Sequence, residues 1–256
     1  MIIYFSGTGN ARLLAERLAE ILGDEMLDLG TLLRGDAKAF KSEKPFVVMS
    51  PIHAWGIPNE VVDFLSKCSF EGNKNVYFGL TMGANNGGMS KRLRALSQKL
   101  GLVYRGCAAF VMPNNYFMGE KLESDDEALA SIRKSLEELP SFAAAIKEEK
   151  DLAWDHPERE GGALLRLVAP FIHTMYGKYG KRGYHFSVSD KCIKCLRCVT
   201  SCPMENITLS DGKITFGKRC MLCLRCVSVC PVEAVDVNGK AKDNGILHLD
   251  KLIKKL

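Results

Sequence analysis

Short apolar runs alternate with stretches of helical periodicity through the first 150 residues. Met1 to Phe5 reads as a buried strand closed by a Gly-rich turn, and Ala11 to Leu22 follows with Leu13, Leu14, Leu18, Ile21 and Leu22 on one helical stripe. The rhythm repeats. Phe46 to Ser50 predicts a second strong strand with a helix from about Asn59 to Ser66, and Val76 to Met82 a third with a helix around Met89 to Leu100. Leu102 to Met112 predicts a fourth, and Glu25 to Leu29 a weaker strand between the first helix and the second strong strand. Ser124-Asp125-Asp126-Glu127 is a capping box that opens a long helix, with Pro140 expected at a break or kink. Strands alternating with helices predict an α/β fold, a parallel sheet covered on both faces.

Beyond residue 150 the pattern changes. Asp155-His156-Pro157-Glu158-Arg159-Glu160-Gly161-Gly162 reads as an exposed linker. Ala163 to Tyr179 is apolar at Leu164, Leu165, Leu167, Val168, Phe171, Ile172 and Met175. Interrupted by Arg166, Pro170 and His173, it is too short for a membrane span. Its expected role is to pack two domains together, with a helix lying in a membrane interface as the lesser reading. The tail after Val237 ends in a basic amphipathic turn, Lys251 to Leu256, expected as a solvated helix on the C-terminal domain. The divisions are therefore 1–150, a linker and packing segment at 151–184, a second domain at 185–237 and a tail at 238–256.

Composition fits a globular protein of this length with two domains, at 46% hydrophobic and 25% charged. Charge divides unevenly. Residues 1–150 carry 18 Lys and Arg against 19 Asp and Glu, whereas residues 151–256 carry 17 against 11. That surplus, including Lys191, Lys194, Arg197, Lys218, Arg219 and Arg225, would balance anionic cofactors and favour acidic redox partner proteins. No basic run with interleaved aromatics accompanies it, so nucleic-acid binding is not expected.

Eight cysteines near the C-terminus fall into two copies of one pattern. Cys192, Cys195, Cys198 and Cys202 precede Pro203, and Cys220, Cys223, Cys226 and Cys230 precede Pro231, each spaced C-x2-C-x2-C-x3-C-P. This is the run of bacterial ferredoxins, in which the fourth cysteine of each copy ligates the other copy's cluster. One 4Fe–4S cluster is assigned Cys192, Cys195, Cys198 and Cys230, the other Cys220, Cys223, Cys226 and Cys202. Zinc sites space their pairs differently, covalent haem needs C-x-x-C-H, and disulfides suit small secreted domains with a signal peptide, which is not expected here. Cys68 and Cys107 are expected as inert buried thiols.

The loop Ser6-Gly7-Thr8-Gly9-Asn10 follows a strand and opens a helix, so its N–H groups and the helix dipole point to one spot. It lacks the Lys of a nucleotide-triphosphate loop and the third glycine of a dinucleotide fingerprint. A phosphate monoester held by amides and hydroxyls fits it, and a plain helix cap would explain it as well.

Tyr4 to Asn10 resembles the flavin phosphate loop of flavodoxins. The loop Ser50 to Pro58, with Pro51, Ile52, His53, Ala54, Trp55 and Gly56, is similar to their first ring-binding loop. Thr81, Met82, Gly83, Ala84, Asn85, Gly87 and Gly88 correspond to the second. The chain resembles flavodoxin–ferredoxin fusion proteins over about residues 1–145 and 185–235. The resemblance implies a doubly wound five-stranded parallel sheet of order 2-1-3-4-5, a C-terminal α+β ferredoxin-like domain, and FMN at the carboxyl ends of the strands. Asn114 and Tyr116 fall on that same edge, and Trp55 is the candidate to stack on the ring. Ala11 stands where many flavodoxins carry a phosphate-binding Thr or Ser, and the second ring loop lacks the Tyr that many stack.

Clusters exchange single electrons and flavins one or two, so the expected protein is a cytoplasmic electron-transfer flavoprotein of an anaerobe, not membrane-spanning. The alternatives are a flavin enzyme that reduces a small-molecule acceptor, and a docking domain that has lost its flavin.

Overall fold

The computed structural model describes residues 1–152, 157–180 and 184–256. In chain order the first part runs β1 (Ile2–Tyr4), α1 (Asn10–Leu22), β2 (Met26–Asp28), α2 (Leu29–Leu32), β3 (Ala39–Ser42), β4 (Phe46–Pro51), α3 (Asn59–Leu65), β5 (Ser69–Gly72), β6 (Asn75–Met82), α4 (Ser90–Lys99), β7 (Val103–Val111) and α5 (Asp125–Lys147). Five of these strands form one parallel sheet ordered β2-β1-β4-β6-β7. Counted within the sheet, that is the flavodoxin-like order 2-1-3-4-5. Successive residues face opposite sides of the sheet. Ile3, Phe5, Val48 and Phe78 enter one core, while Ile2, Tyr4, Val47, Met49 and Tyr77 enter the other. Both faces are covered, which is why the runs are continuously apolar rather than alternating.

Three expectations are corrected. β3 and β5 form an additional short parallel pair, held by Phe40 and Phe70 with ring centroids 5.4 Å apart. Helix α5 is not broken at Pro140, which lies on its exposed face, where water can take up the carbonyl left unpaired. Its capping box forms as read: Ser124 Oγ accepts from Glu127 N at 3.4 Å and Glu127 Oε2 from Ser124 N at 2.9 Å. Finally, the stretch read as a linker is tied down where it is described. Arg159 is buried, donates to Ala109 O at 2.7 Å and forms a forked pair with Glu138 at 2.5 and 2.8 Å. Asp155 and His156 lie outside the described residues.

The second part comprises α6 (Ala163–Met175), a π-helical turn at Tyr176–Gly180, β8 (Phe186–Val188), α7 (Arg197–Ser201), β9 (Ile207–Ser210), β10 (Lys213–Phe216), α8 (Arg225–Ser228), β11 (Val235–Val237), α9 (Lys240–Asn244) and α10 (Leu249–Leu252). β8 pairs antiparallel with β11, and β9 with β10 across an Asp211-Gly212 turn whose two residues are both left-handed, as a tight hairpin of this kind needs.

The halves interlock through side chains. Met221 is 1% exposed and enters the sheet's core beside Leu29 and Ile57. Phe117 crosses the other way, into the C-terminal core with Leu222 and Val227. The tail follows the C-terminal domain only in its first part, where Ala241 joins that core; its last turn does not lie there as expected. Leu249 and Leu252 join the core with Leu13 and Leu14, and Lys255 pairs with Asp125 at 2.5 Å. Two buried leucines give α10 more apolar contact there than a solvated turn would have.

Candidate functional site

The two cysteine runs fold as copies displaced by 28 residues. Lys194 and Leu196 in the first, and Leu222 and Leu224 in the second, have positive φ, as do Glu205 and Glu233 after each fourth cysteine. Alternating right- and left-handed residues turn successive N–H groups into one concavity, a form suited to anionic sulfur. Asn206 N donates to Cys202 Sγ at 3.3 Å and Ala234 N to Cys230 Sγ at 3.2 Å, again one copy of the other. Among the described residues no three His, Cys, Asp or Glu side chains converge tightly enough for a single metal ion. The thiols of one set ring a volume instead. Cys192, Cys195, Cys198 and Cys230 line one small cavity with Val188, Leu196, Ile214, Val232 and Val235. Around Cys226, burial first and then Cys223, Cys220, Cys202 and Cys198 push the thiol well above its ordinary range. Burial likewise raises Cys223 to about 12, against the opposing effect of Arg225. Bare thiolates are disfavoured in such surroundings, so soft cations matching their charge would fit them.

The strand ends carry a second site. A cleft of about 400 Å³ is lined by Ser6, Gly7, Thr8, Asn10 and Ala11, by Pro51 to Ala54, by Thr81 to Gly83 and by Pro113 to Tyr116. All three loops of the flavodoxin resemblance reach it. The first turn of α1 leaves its N–H groups without intrahelical partners, and Asn10 and Ala11 of that turn lie in the wall. Asn10 Nδ2 donates to Pro113 O at 2.8 Å, and Asn115 Nδ2 to Thr8 Oγ1. Asn10 Oδ1 and Asn115 Oδ1 are buried with no donor. Two orphaned acceptors beside a helix N-terminus suit a ligand with hydroxyls or ring N–H groups at one end and a phosphate at the other, which FMN has.

Not every residue singled out by resemblance lies in that wall. Gly9 lines a neighbouring cleft and lies against Leu249, where a Cβ would clash. Trp55, Gly56, Ala84, Asn85, Gly87 and Gly88 stand outside. The Trp55 indole donates to Asn85 Oδ1 at 2.8 Å instead of lying over the cleft. His53 and Gly56 exchange backbone hydrogen bonds of 2.8 and 3.1 Å around Ala54 and Trp55, both left-handed at φ 45 and 61. Such a turn normally takes glycine or asparagine. Here Arg92 donates to Trp55 O, and the His173 ring meets His53 O at 3.0 Å and Asn59 Oδ1 at 2.9 Å. Arg92 and His173 thus clamp the strained turn, whose His53 and Ala54 lie in the cleft wall.

The remaining wall comes from the second half of the chain. Tyr176, Leu222, Cys223 and Leu224 close the cleft, and sequence reasoning missed them in this role. Local spacing marked Cys223 only as a cluster ligand, and nothing in the sequence around Tyr176 signals its approach. Tyr116 and Tyr176 are the aromatic residues of the cleft wall. The Tyr116 and Tyr184 hydroxyls are 2.7 Å apart, and burial, followed by that bond, keeps the Tyr116 phenol protonated well above its ordinary range. Arg225, between Cys223 and Cys226, crosses to the phosphate-type loop. Its Nη2 and Nε donate to Ser6 O at 2.7 and 3.1 Å, and Nη2 lies 3.3 Å from Asp28. Of the leftover cysteines, Cys107 is buried as expected, its thiol pushed up by burial, whereas Cys68 is only half-buried, its thiol shifted the same way.

Residues 191–235 match the family of 4Fe–4S dicluster domains. Among solved structures, Trp repressor binding protein from Bacillus subtilis aligns with 57% of this chain and 97% of its own, at 12% identity and a TM-score of 0.33. A short-chain flavodoxin associated with a non-canonical PDU bacterial microcompartment aligns with 56% and 96%, at 15% identity and a TM-score of 0.31. No curated protein matches the chain. Its own sheet order and the matched segment together make it a flavodoxin-like α/β domain joined to a 4Fe–4S dicluster domain.

Proposed function

We propose that the protein passes electrons between two 4Fe–4S clusters and FMN, coupling one-electron and two-electron partners. One observation carries this reading: Leu222, Cys223 and Leu224 of the second cysteine run form a wall of the same cleft as Ser6, Gly7, Thr8, Asn10 and Ala11. When bound, the clusters supply single electrons and the flavin stores one or two. Cys220, Cys223, Cys226 and Cys202 would hold the inner cluster beside the cleft. Cys192, Cys195, Cys198 and Cys230 would hold the outer one. Ser6, Thr8 and the first N–H groups of α1 would hold the phosphate, Asn10 and Asn115 would accept from hydroxyls or ring N–H groups, and Tyr116 and Tyr176 would flank the ring.

Charge supports an entry point at the outer cluster. Cys195 is exposed, and Lys191, Lys194, Arg197, Lys218 and Arg219 are exposed around the first run and before the second, while Arg225 is used internally. An acidic redox partner docking there would be steered by that field. Among the described residues no helix is long and apolar enough to cross a membrane. A cytoplasmic setting in an anaerobe belongs to the proposal.

The test is anaerobic purification with iron and flavin counted per chain, followed by stepwise reduction. About eight irons and one FMN, with flavin and cluster absorbance bleaching together under a reductant that acts on clusters, is the expected result. About eight irons with no flavin, and none taken up on adding FMN, would leave a dicluster domain fused to a docking module. Turnover of a small acceptor by the purified chain alone would favour an enzyme over a carrier.

A further inference from the structure

Helix α6 is apolar on two sides, and only one of them is covered. The inner side carries Leu165, Ala169, Ile172 and His173. Ala169 is fully buried where a Cβ on Gly87 would strike it, and His173 is bonded to His53 and Asn59. The outer side carries Leu164, Leu167, Phe171 and Met175, at intervals of three and four that align them along one stripe. Leu164 is 74% exposed, Leu167 77% and Phe171 67%. A helix apolar all round is normally buried on all sides, and three such residues contiguous on one helix form the kind of patch that marks a contact.

The charge of the sequence that carries the stripe points to what covers it. From Gly161 to Ser189 the sequence carries Arg166, Lys178, Lys181 and Arg182 and no Asp or Glu. Arg166 is paired with Glu160 at 3.0 Å, whereas Lys178 is exposed at the end of the stripe beside half-exposed Tyr179. Exposed leucine and phenylalanine, a tyrosine at the boundary and a surplus of basic over acidic residues are the composition of a helix that lies in the headgroup layer of an anionic bilayer. We propose that the outer face of α6 docks this protein on an anionic membrane surface, without crossing it. His173 and Tyr176 connect the helix to the cleft, so docking would fix which way the cleft faces relative to the bilayer. The proposal does not depend on which cofactor fills the cleft.

The experiment is co-sedimentation of the full chain with vesicles of phosphatidylglycerol and phosphatidylcholine, against phosphatidylcholine alone, at low and high salt. Binding is expected to need the anionic lipid and to weaken with salt. In the double variant Leu167→Glu, Phe171→Glu, partitioning is expected to fall about tenfold or more. Both positions are exposed, so that variant should keep its iron content and its melting temperature, and sedimentation velocity without lipid checks its assembly. Absence of binding to anionic vesicles would overturn the proposal. Binding that the double variant leaves unchanged would overturn it too, since charge alone would then explain adhesion. A dimer that the variant dissociates, with no vesicle binding, would assign the face to a second copy instead.

Discussion

The carbonyl oxygen of Cys223 occupies the space beside Gly7 that a Cβ would fill. The glycine that sequence reasoning assigns to a close approach of phosphate is therefore also the point where the second cysteine run touches the first loop. Gly7 makes that contact at negative or extended backbone geometry, so the requirement is space and not left-handed conformation.

Replacing Gly7 with alanine should push Cys223 away from the loop. Overpacking of this kind costs about 1–3 kcal/mol. The expected outcome is a lower melting temperature, unchanged iron content and weaker flavin retention, measured by calorimetry and by flavin release on dilution. A Gly7→Ala protein that melts and retains flavin like the parent would remove this contact from the argument.

Arg225 is the second fastening, and its fork is what matters. Arg225→Ala should cost about 1–3 kcal/mol, because it removes two donors from Ser6 O and the cation facing Asp28. Arg225→Lys should recover little, since an ammonium cannot place two parallel N–H groups on one carbonyl. Urea unfolding of the three proteins checks this, with full recovery by lysine as the contrary result.

What could be read in advance depended on how local the determining contacts are. The strands of the sheet were legible because Ile2-Ile3 and Val47-Val48 are buried on both faces and so stay apolar without a break. The cysteine runs were legible because each loop is closed by its own backbone, with Lys194 and Leu196 repeated at Leu222 and Leu224. β3 and β5 escaped notice because each contributes one buried phenylalanine, too little for a pattern. Tyr176 and Leu222 to Leu224 could not be placed in the cleft because their position follows from docking between distant segments. Trp55 misled for a related reason: an aromatic in a ring-binding loop has a stacking partner only if nothing nearer engages it, and Asn85 does.

The proposed crossed ligand sets separate two cysteine variants that sequence position would rank the other way. Cys202→Ala should disturb the cluster beside the cleft although Cys202 belongs to the first run, and Cys230→Ala the outer one. Each should lose roughly four of about eight irons. Only Cys202→Ala is expected to abolish fast flavin reduction from the remaining cluster, read by stopped-flow absorbance. If each variant instead affected the cluster of its own run, the crossing of the fourth ligands would be overturned.

Tyr77 provides the pH test of the sheet itself. Its ring is buried, and its hydroxyl donates to Lys150 O at 2.7 Å and Ala145 O at 3.1 Å, tying the end of α5 to β6. Burial raises the phenol to about 12 from 10.0, with Arg105 opposing. The unfolded chain releases this proton near its ordinary value, so the contribution to stability is complete below pH 10 and is lost as pH rises from there through 12. The slope from this group is about 1.4 kcal/mol per pH unit inside that window. Tyr77→Phe should be about 1 kcal/mol less stable at neutral pH, having lost its hydrogen bonds. Its stability should also fall less steeply between pH 10 and 12, and Tyr104 and Cys107, which titrate in the same alkaline direction, cancel in the difference between the two proteins. Denaturant midpoints measured every half unit across the window would show that difference shrinking, and parallel curves would mean that the phenol is not titrating with unfolding.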